Sequence, residues 1–183
     1  MPALSLRLAT HADLPALRAM MARAIAELQI AFLSLAQVEA SKSVMGLDTQ
    51  LIDDGCYYVA ELEGKLVGCG GWSRRGTLYG GDHSAGRDAR WLDPATEAAR
   101  IRAMYTNPDF VRRGVGRALL ACCEQAARRA GFTRIELMAT LSGQPLYRVA
   151  GFSPTETIFD SKGGVPVPLV HMHKTLQGPD DVN

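Results

Sequence analysis

The chain has 183 residues, of which 47% are hydrophobic, and its formal net charge at pH 7 is +1. This length and apolar content suit one sizeable core, so we expect a single domain over residues 1–176 and a short C-terminal tail over residues 177–183. So small a charge argues against general nucleic-acid binding, because the chain lacks a strong basic field.

Membrane insertion and secretion are not expected either. The sequence has no uninterrupted apolar run of about twenty residues. Its first residues also lack the basic region and following apolar run of a secretory signal. Four cysteines lie in apolar segments without zinc spacing: Cys56, Cys69, Cys122 and Cys123. We therefore expect reduced thiols, no metal and a cytoplasmic location.

The first third of the chain predicts a strand followed by helices. Leucines alternate with other residues over residues 4–8, as they do in a strand. Thr10 and Asp13 resemble a capping box ahead of a helix that covers about residues 12–28. Residues 30–52 keep helical spacing but are harder to divide.

A hairpin and a long connection follow. Residues 56–62 and 66–72 predict two strands joined by a tight turn at Glu63-Gly64-Lys65. The second strand carries three glycines: Gly68, Gly70 and Gly71. They indicate close approach by a neighbouring backbone or by a substrate, and packing is the favoured interpretation. Residues 73–96 form a polar connection, and connections this long are usually functional or mobile.

The central stretch predicts a strand, a turn and a helix. Alternation over residues 98–105 predicts a strand whose odd-numbered residues share one face. Pro108 ends this strand, and helical spacing begins at about Gly114 and continues to a left-handed stop at Gly131. On that helix Glu124 is predicted to lie on the polar side, paired with a basic residue one turn later.

The turn before this helix has the composition of an anion site. It carries three arginines and two glycines: Arg112, Arg113, Gly114, Gly116 and Arg117. A helix beginning here directs free N–H groups and the positive end of its dipole toward the turn. A P-loop is a poor fit because Arg117-Ala118 stand where Lys and a hydroxyl residue belong. A merely solvated turn and another nucleotide site, as in a phosphotransferase, remain the alternatives.

The last part of the chain predicts three strands and a short helix. The strands are predicted over residues 134–139, 155–159 and 167–175. The helix is predicted over residues 140–150. His171 and His173 would share a face of the last strand. Two histidines without a third ligand are more often structural than metal-binding.

Two motifs resemble the GCN5-related N-acetyltransferases. The acetyl-CoA motif of that family is Gln or Arg, two residues, Gly, one residue, then Gly or Ala, between a strand and a helix. The stretch over residues 112–117 supplies every other position of this motif, and Val111, just before it, stands where the motif has Gln or Arg. The second motif is a tyrosine four residues before Gly-Phe, here Tyr147 before Gly151-Phe152. Together with the order of the elements, the resemblance covers residues 4–176.

The resemblance implies an α/β acyl-CoA N-acyltransferase fold. Its central sheet would be mixed and mostly antiparallel, with helices on both faces and a splay that admits CoA. The implied reaction moves an acetyl group from acetyl-CoA, the cosubstrate, to a primary amine of a small molecule or peptide. The amine attacks directly, without a metal or covalent intermediate. Relatives often dimerise, which makes a homodimer one expectation.

The resemblance also implies the residues of the site. Main-chain groups of three strand residues would bind the pantetheine arm: Met104, Tyr105 and Thr106. The turn would hold the diphosphate through six residues: Arg112, Arg113, Gly114, Val115, Gly116 and Arg117. Thr140 stands where many relatives have an asparagine that contacts the pantetheine. Tyr147 would act as general acid toward the departing thiolate.

The acceptor and the base are less well defined. Glu97 or Glu61 could relay a proton through water, or a partly neutral amine could need little help. Residues 30–52 would line the acceptor pocket, with four apolar candidates: Phe32, Leu33, Leu35 and Met45. The connection over residues 73–96 would lie beside it, with Asp82, His83 and several arginines as candidates. A sensor or degenerate module that binds acyl-CoA without turnover is the alternative function.

Overall fold

A computed structural model of the chain describes residues 3–176, so the predicted tail over residues 177–183 lies outside the described residues. The strands are Ser5–Leu8 (β1), Tyr57–Leu62 (β2), Lys65–Ser73 (β3), Ala99–Thr106 (β4), Arg134–Thr140 (β5), Ser153–Asp160 (β6) and Val167–Thr175 (β7). The helices are Leu14–Leu28 (α1), Leu35–Ser41 (α2), Thr49–Asp53 (α3), Val115–Arg129 (α4) and Gln144–Val149 (α5). Short 3₁₀ turns cover His11–Asp13 and Pro108–Phe110.

The seven strands form one sheet in the order β1-β2-β3-β4-β5-β7-β6. Every neighbouring pair is antiparallel except β4 and β5, which are parallel. These two strands pair only at Ala99 with Ile135 and at Arg100 with Glu136. Beyond these positions they separate, which confirms the mixed, mostly antiparallel sheet and its splay.

Helices cover both faces of the sheet, as expected. α1 packs on one face, where Leu17 contacts a cluster that includes Val59 and Tyr105. α4 packs on the other face, where Leu120 and Cys123 belong to the largest core cluster. None of the helices in residues 3–176 is long and apolar enough to span a bilayer.

The predicted alternation of β4 is wrong beyond Ile101. The register runs from Tyr105 opposite Cys69 to Arg102 opposite Gly71, so β4 contains one residue more than β3 over this interval. The extra residue is a β-bulge at Ala103, whose φ is +49°. Because the bulge shifts the alternation by one, Ile101 faces α4 while Tyr105 faces α1.

The glycines of β3 serve packing, as predicted. A Cβ at Gly68 would lie 2.5 Å from Cγ1 of Val115, at the start of α4. A Cβ at Gly70 would lie 2.1 Å from Sδ of Met104, beside the bulge. These glycines let α4 and the bulged strand approach β3 closely.

Some side chains differ from the predicted placement. Glu124 is buried rather than on the polar side of α4, because Lys174 on β7 reaches it with Nζ 2.9 Å from Oε1. His171 and His173 do share a face, but they bind protein groups: His171 lies 3.0 Å from Glu136, and His173 lies 3.0 Å from Thr155. In the described part of the chain, no group of three His, Cys, Asp or Glu residues could hold a metal ion.

Candidate active site

A cleft of about 790 Å³ opens where β4 and β5 separate. The turn before α4 lines one end of it, and α5 lines the side. The end of α1 and residues 44–46 and 78–80 line the opposite end. Most of the predicted site residues line this one cleft: Met104, Tyr105, Thr106, Arg112, Gly114, Val115, Gly116, Arg117, Thr140 and Tyr147.

The open edge of β4 provides main-chain groups to the cleft. The N–H of Asn107 donates to the carbonyl of Val67 at 2.9 Å, on the β3 side. Since main-chain groups alternate in direction along a strand, those of Thr106 point to the other edge. Among the described residues, β4 has no strand partner on that edge after Arg100. A ligand can therefore pair with it as a strand would.

The amino end of α4 provides a second set of donors. Arg112 and Gly114 have φ values of +62° and +80°, which turn the chain sharply into the helix. The first helical hydrogen bond runs from the N–H of Ala118 to the carbonyl of Gly114. The preceding N–H groups of Val115, Gly116 and Arg117 therefore have no acceptor within the helix, so they are available to an anion.

The arginines of the turn are not equivalent. Arg112 and Arg117 line the cleft. Arg113 does not, and its guanidinium lies 5.2 Å from the centre of the Phe110 ring instead. All three arginines were predicted to hold the diphosphate, and only the structure distinguishes them.

Tyr147 lies in the wall of the cleft. Its ring is 7% exposed and packs edge to face on Phe152, with the ring centres 5.8 Å apart. Its hydroxyl has no hydrogen bond to any other described residue of the chain. Burial raises the pKa of Tyr147 well above its usual range, so the phenol keeps its proton at neutral pH.

Thr140 lies at the start of the α5 turn. Its Oγ1 accepts a hydrogen bond from the N–H of Gly143 at 3.1 Å and lies 3.1 Å from Oγ of Ser142. The hydroxyl thus stabilises the turn that leads to Tyr147. Thr140 also lines the cleft.

The opposite end of the cleft differs from the expected acceptor pocket. Of the apolar candidates, Phe32 and Met45 line it, while Leu33 packs in a core cluster and Leu35 is 80% exposed. From the long connection, the lining residues are Leu78, Tyr79 and Gly80. No motif or periodicity marks these three residues as part of a pocket, so sequence reasoning did not single them out for the site.

The charged residues of the connection pair with other parts of the chain. Arg75 donates to Asp54 at 2.7 Å, and Arg90 donates to Glu97 at 2.8 Å. Asp82 accepts from the N–H of Thr49 at 3.0 Å, and His83 lies 3.1 Å from the carbonyl of Ser43. Asp82 and His83 line a separate pocket of about 410 Å³ that shares Met45 and Gly46 with the cleft.

Neither candidate for the general base lines the cleft. Glu61 lies on β2 and pairs at 2.7 Å with Arg7 on the neighbouring edge strand β1. Glu97 accepts from Arg90 and from the N–H of Asp93 at 2.7 Å. Hydrogen bonds from Asp93 and Arg90 lower the pKa of Glu97, which makes it a weaker base.

An open sheet that splays beside the free amino end of a helix is the acyl-CoA N-acyltransferase fold, and solved structures of this class match the chain. A GCN5-related N-acetyltransferase from Rhodopseudomonas palustris matches with a TM-score of 0.68, 21% identity and 96% coverage of both chains. A ribosomal-protein-alanine N-acetyltransferase from Brucella melitensis matches with a TM-score of 0.63 and 23% identity, over 94% of this chain and 99% of that one. The protein yncA from Salmonella typhimurium, solved with its cofactor acetyl-CoA, matches with a TM-score of 0.62 and 19% identity, over 98% and 99%.

The sequence profile described as Acetyltransferase (GNAT) family matches residues 22–152. The chain therefore belongs to the GNAT family and is an acetyl-CoA-dependent N-acetyltransferase. A search of curated proteins finds no match.

Proposed function

We propose that the chain transfers the acetyl group of acetyl-CoA directly to a primary amine of a small molecule or peptide, with Tyr147 as general acid. The observation that carries the proposal is that Tyr147, the amino end of α4 and the open edge of β4 line the same cleft. These groups suit a long ligand whose anionic end binds the amino end of α4 and whose reactive end lies beside Tyr147.

The residues of the cleft suit acetyl-CoA from end to end. The free N–H groups at the start of α4 would hold the diphosphate, with Arg112 and Arg117 supplying positive charge. Gly116 lets α5 pack closely on this turn, since a Cβ there would lie 3.0 Å from Leu146. Main-chain groups of the strand from Met104 to Thr106 would pair with the amides of the pantetheine arm.

The chemistry requires an acid more than a base. Attack of a neutral amine on the thioester carbonyl places negative charge on oxygen, which an N–H of the β4 edge would stabilise. The carbon–sulfur bond then breaks, and the sulfur takes the proton of the Tyr147 hydroxyl. The ammonium product releases its extra proton, which restores the phenol. Burial raises the pKa of Tyr147, so its hydroxyl still carries the proton when the thiolate forms.

Calorimetric titration followed by a thiol-release assay tests the proposal. We expect acetyl-CoA and CoA to bind, ATP to bind much more weakly, and thiol to be released when a suitable primary amine is added. Tight ATP binding without CoA binding would contradict the proposal. Binding of CoA with no thiol release on a broad amine panel would favour the module without turnover.

A further inference from the structure

The acceptor end of the cleft is apolar. Six of its side chains are hydrocarbon or thioether: Ala24, Leu28, Phe32, Val44, Met45 and Leu78. Among the residues that the structure describes, no Asp, Glu, His or Lys lines the cleft. A substrate amine therefore meets neither a counter-charge nor a side-chain base at this end.

The charged groups behind this wall are already neutralised. Asp48, which is 1% exposed, accepts from Arg102 at 2.8 Å and from Arg87 at 2.5 Å. Asp160 lies 3.7 Å from Nζ of Lys162 and accepts from the hydroxyl of Tyr79 at 2.8 Å. Arg102 lines the cleft but also donates to the carbonyl of Gly80 at 2.8 Å. Neither a free anion nor a free cation is left here to bind a charged substrate.

This environment discriminates by charge. A polyamine or a lysine side chain arrives as a cation, because the pKa of an alkylamine is about 10.4. Entering an apolar pocket without a counter-charge would cost such a cation its solvation. A weakly basic amine arrives neutral, loses little solvation and already has the lone pair that attacks the thioester.

One buried polar atom at this end lacks a partner. Gln29 is 2% exposed and lines the cleft. Its Nε2 donates to Oγ of Ser41 at 2.9 Å and contacts Sδ of Met45 at 3.3 Å. Its Oε1 is the only buried side-chain oxygen or nitrogen in the described residues without a hydrogen bond. Such an acceptor needs a donor, and the neighbouring Met45 is flexible enough to admit one.

Resting on the proposed acetyl transfer, we propose that the acceptor is a small primary amine of low basicity on an apolar body, and that its N–H donates to Oε1 of Gln29. Arylamines have this chemistry: a neutral amino group at neutral pH on an apolar ring. Gln29 would position the amine for attack on the thioester held along β4.

A matched set of amines tests the acceptor class. The thiol-release assay at neutral pH compares 4-methylaniline, 4-methylbenzylamine and spermidine, which differ in basicity and charge. We expect kcat/KM for 4-methylaniline to exceed that for spermidine by roughly 10-fold or more, the factor set by one desolvated charge. A higher kcat/KM for spermidine than for 4-methylaniline would overturn the inference.

Substitutions at Gln29 test the positioning contact. We expect Gln29→Met to lower kcat/KM for 4-methylaniline by roughly 2- to 10-fold, the loss of one hydrogen bond, with unchanged acetyl-CoA affinity. Gln29→Glu places a carboxylate at the same point and should shift preference toward 4-methylbenzylamine. The control Gln125→Met makes the same change on the exposed side of α4 and should alter neither quantity. Unchanged kcat/KM and unchanged preference in both Gln29 variants would remove the role of Gln29.

A substitution at Phe32 tests the apolar acceptor site at an exposed position, where the change is tolerated by the fold. Phe32 is 49% exposed, so Phe32→Ala removes an apolar wall without opening the core. We expect a KM for 4-methylaniline that is higher by roughly 5-fold, from lost apolar contact, with acetyl-CoA affinity unchanged. An unchanged KM would contradict an apolar acceptor site. Failure of the two proposals is distinguishable, because absence of CoA binding refutes acetyl transfer itself, whereas thiol release on spermidine alone refutes only the acceptor class.

Discussion

Tyr147 shows how local sequence positions a functional side chain. Gly143 and Pro145 start a helix of six residues, and the turn after it brings Phe152 under the tyrosine ring. The ring is thus fixed by packing while the hydroxyl is left without a partner among residues 3–176. A hydroxyl that is unpaired at the wall of a cleft is more useful to a ligand than to the fold.

Replacing Tyr147 separates its chemical role from its packing role. We expect Tyr147→Phe to lower kcat by roughly 10²- to 10⁴-fold, because only the proton donor is removed. Acetyl-CoA affinity should stay the same, since the ring and its contact with Phe152 remain. Tyr58→Phe is the control, because Tyr58 packs against α4 outside the cleft. Equal turnover in wild type and Tyr147→Phe would remove the acid role.

The pH profile provides an independent test. Burial, followed by proximity to Cys123 and Tyr105, raises the pKa of Tyr147. A raised pKa means that the phenol keeps its proton to higher pH, so the acid form persists beyond about pH 10. We expect kcat/KM to rise with pH as the substrate amine loses its proton and then to level off. A fall centred below about pH 9 that Tyr147→Phe lacks would contradict this.

The residues of the site were predictable where their signal is local. The glycine turn and Tyr147 belong to short motifs, so the sequence predicts them. Gln29 carries no such signal, because a glutamine after a helix usually contacts solvent. Its burial depends on Ser41 and Met45, which lie 12 and 16 positions later.

At the level of elements, the start of α4 depends on β3. Gly68 has room for only a hydrogen atom below Val115, so the helix can begin directly above the strand. This contact between Gly68 and Val115 sets the position of the free N–H groups relative to the open edge of β4.

Adding a methyl group at Gly68 tests this packing. We expect Gly68→Ala to destabilise the protein by about 1–3 kcal/mol, because the new Cβ overlaps Val115 and Leu119. It should also weaken CoA binding, since the start of α4 must move. Denaturant unfolding and calorimetry measure the two effects. The control Ala121→Leu adds volume on the exposed side of α4; an equally small change in both variants would contradict the packing argument.

The two arginines at the turn offer a matched comparison. Arg117 lines the cleft, whereas Arg113 stacks on Phe110. We expect Arg117→Ala to weaken CoA binding by roughly 5- to 20-fold and to reduce its salt dependence, because a charge near the diphosphate is lost. Arg113→Ala should have a much smaller effect. Titrations at low and high salt distinguish the two variants, and equal losses would show that Arg113 also contacts the ligand.

The bulge in β4 could not be predicted from the residues of that strand alone. The residues of β4 alternate as a regular strand would, and nothing in them signals an insertion. The bulge arises from pairing with β3, where Gly70 leaves space for Met104. Strand existence can be predicted from the strand itself, but register requires its partner.

Across the whole molecule, two ion pairs that share the buried Asp48 join distant segments. Asp48 caps the start of α3, accepting from the N–H of Gln50 at 3.1 Å, and pairs with Arg102 on β4 and Arg87 in the long connection. Burial lowers the pKa of Arg102, and Asp48 opposes that effect. The pairing holds the connection against the acceptor end of the cleft.

Removing the charge of Asp48 tests this network. We expect Asp48→Asn to destabilise the protein by roughly 3–5 kcal/mol, because Arg102 becomes a buried charge without a counter-charge. Asp53→Asn is the control: Asp53 pairs with His11 on the surface, where an ion pair contributes less than about 1 kcal/mol. Thermal unfolding measures both, and similar melting temperatures for the two variants would contradict the role of Asp48.

The overall architecture was more predictable than the acceptor end. The order of strands and helices follows from periodicity and turn residues, and the splay follows from the family resemblance. The connection over residues 73–96 could not be placed, because its charges pair with residues such as Asp48 and Asp54 that lie far away in sequence. Those pairings decide which of its residues reach the cleft.

A crystal structure of the protein with bound CoA tests the central claim most directly. We predict diphosphate oxygens within hydrogen-bond distance of the N–H groups of Val115, Gly116 and Arg117, and the CoA sulfur beside the hydroxyl of Tyr147. A diphosphate bound elsewhere, or a sulfur that emerges on the far side of the sheet from Tyr147, would contradict the account.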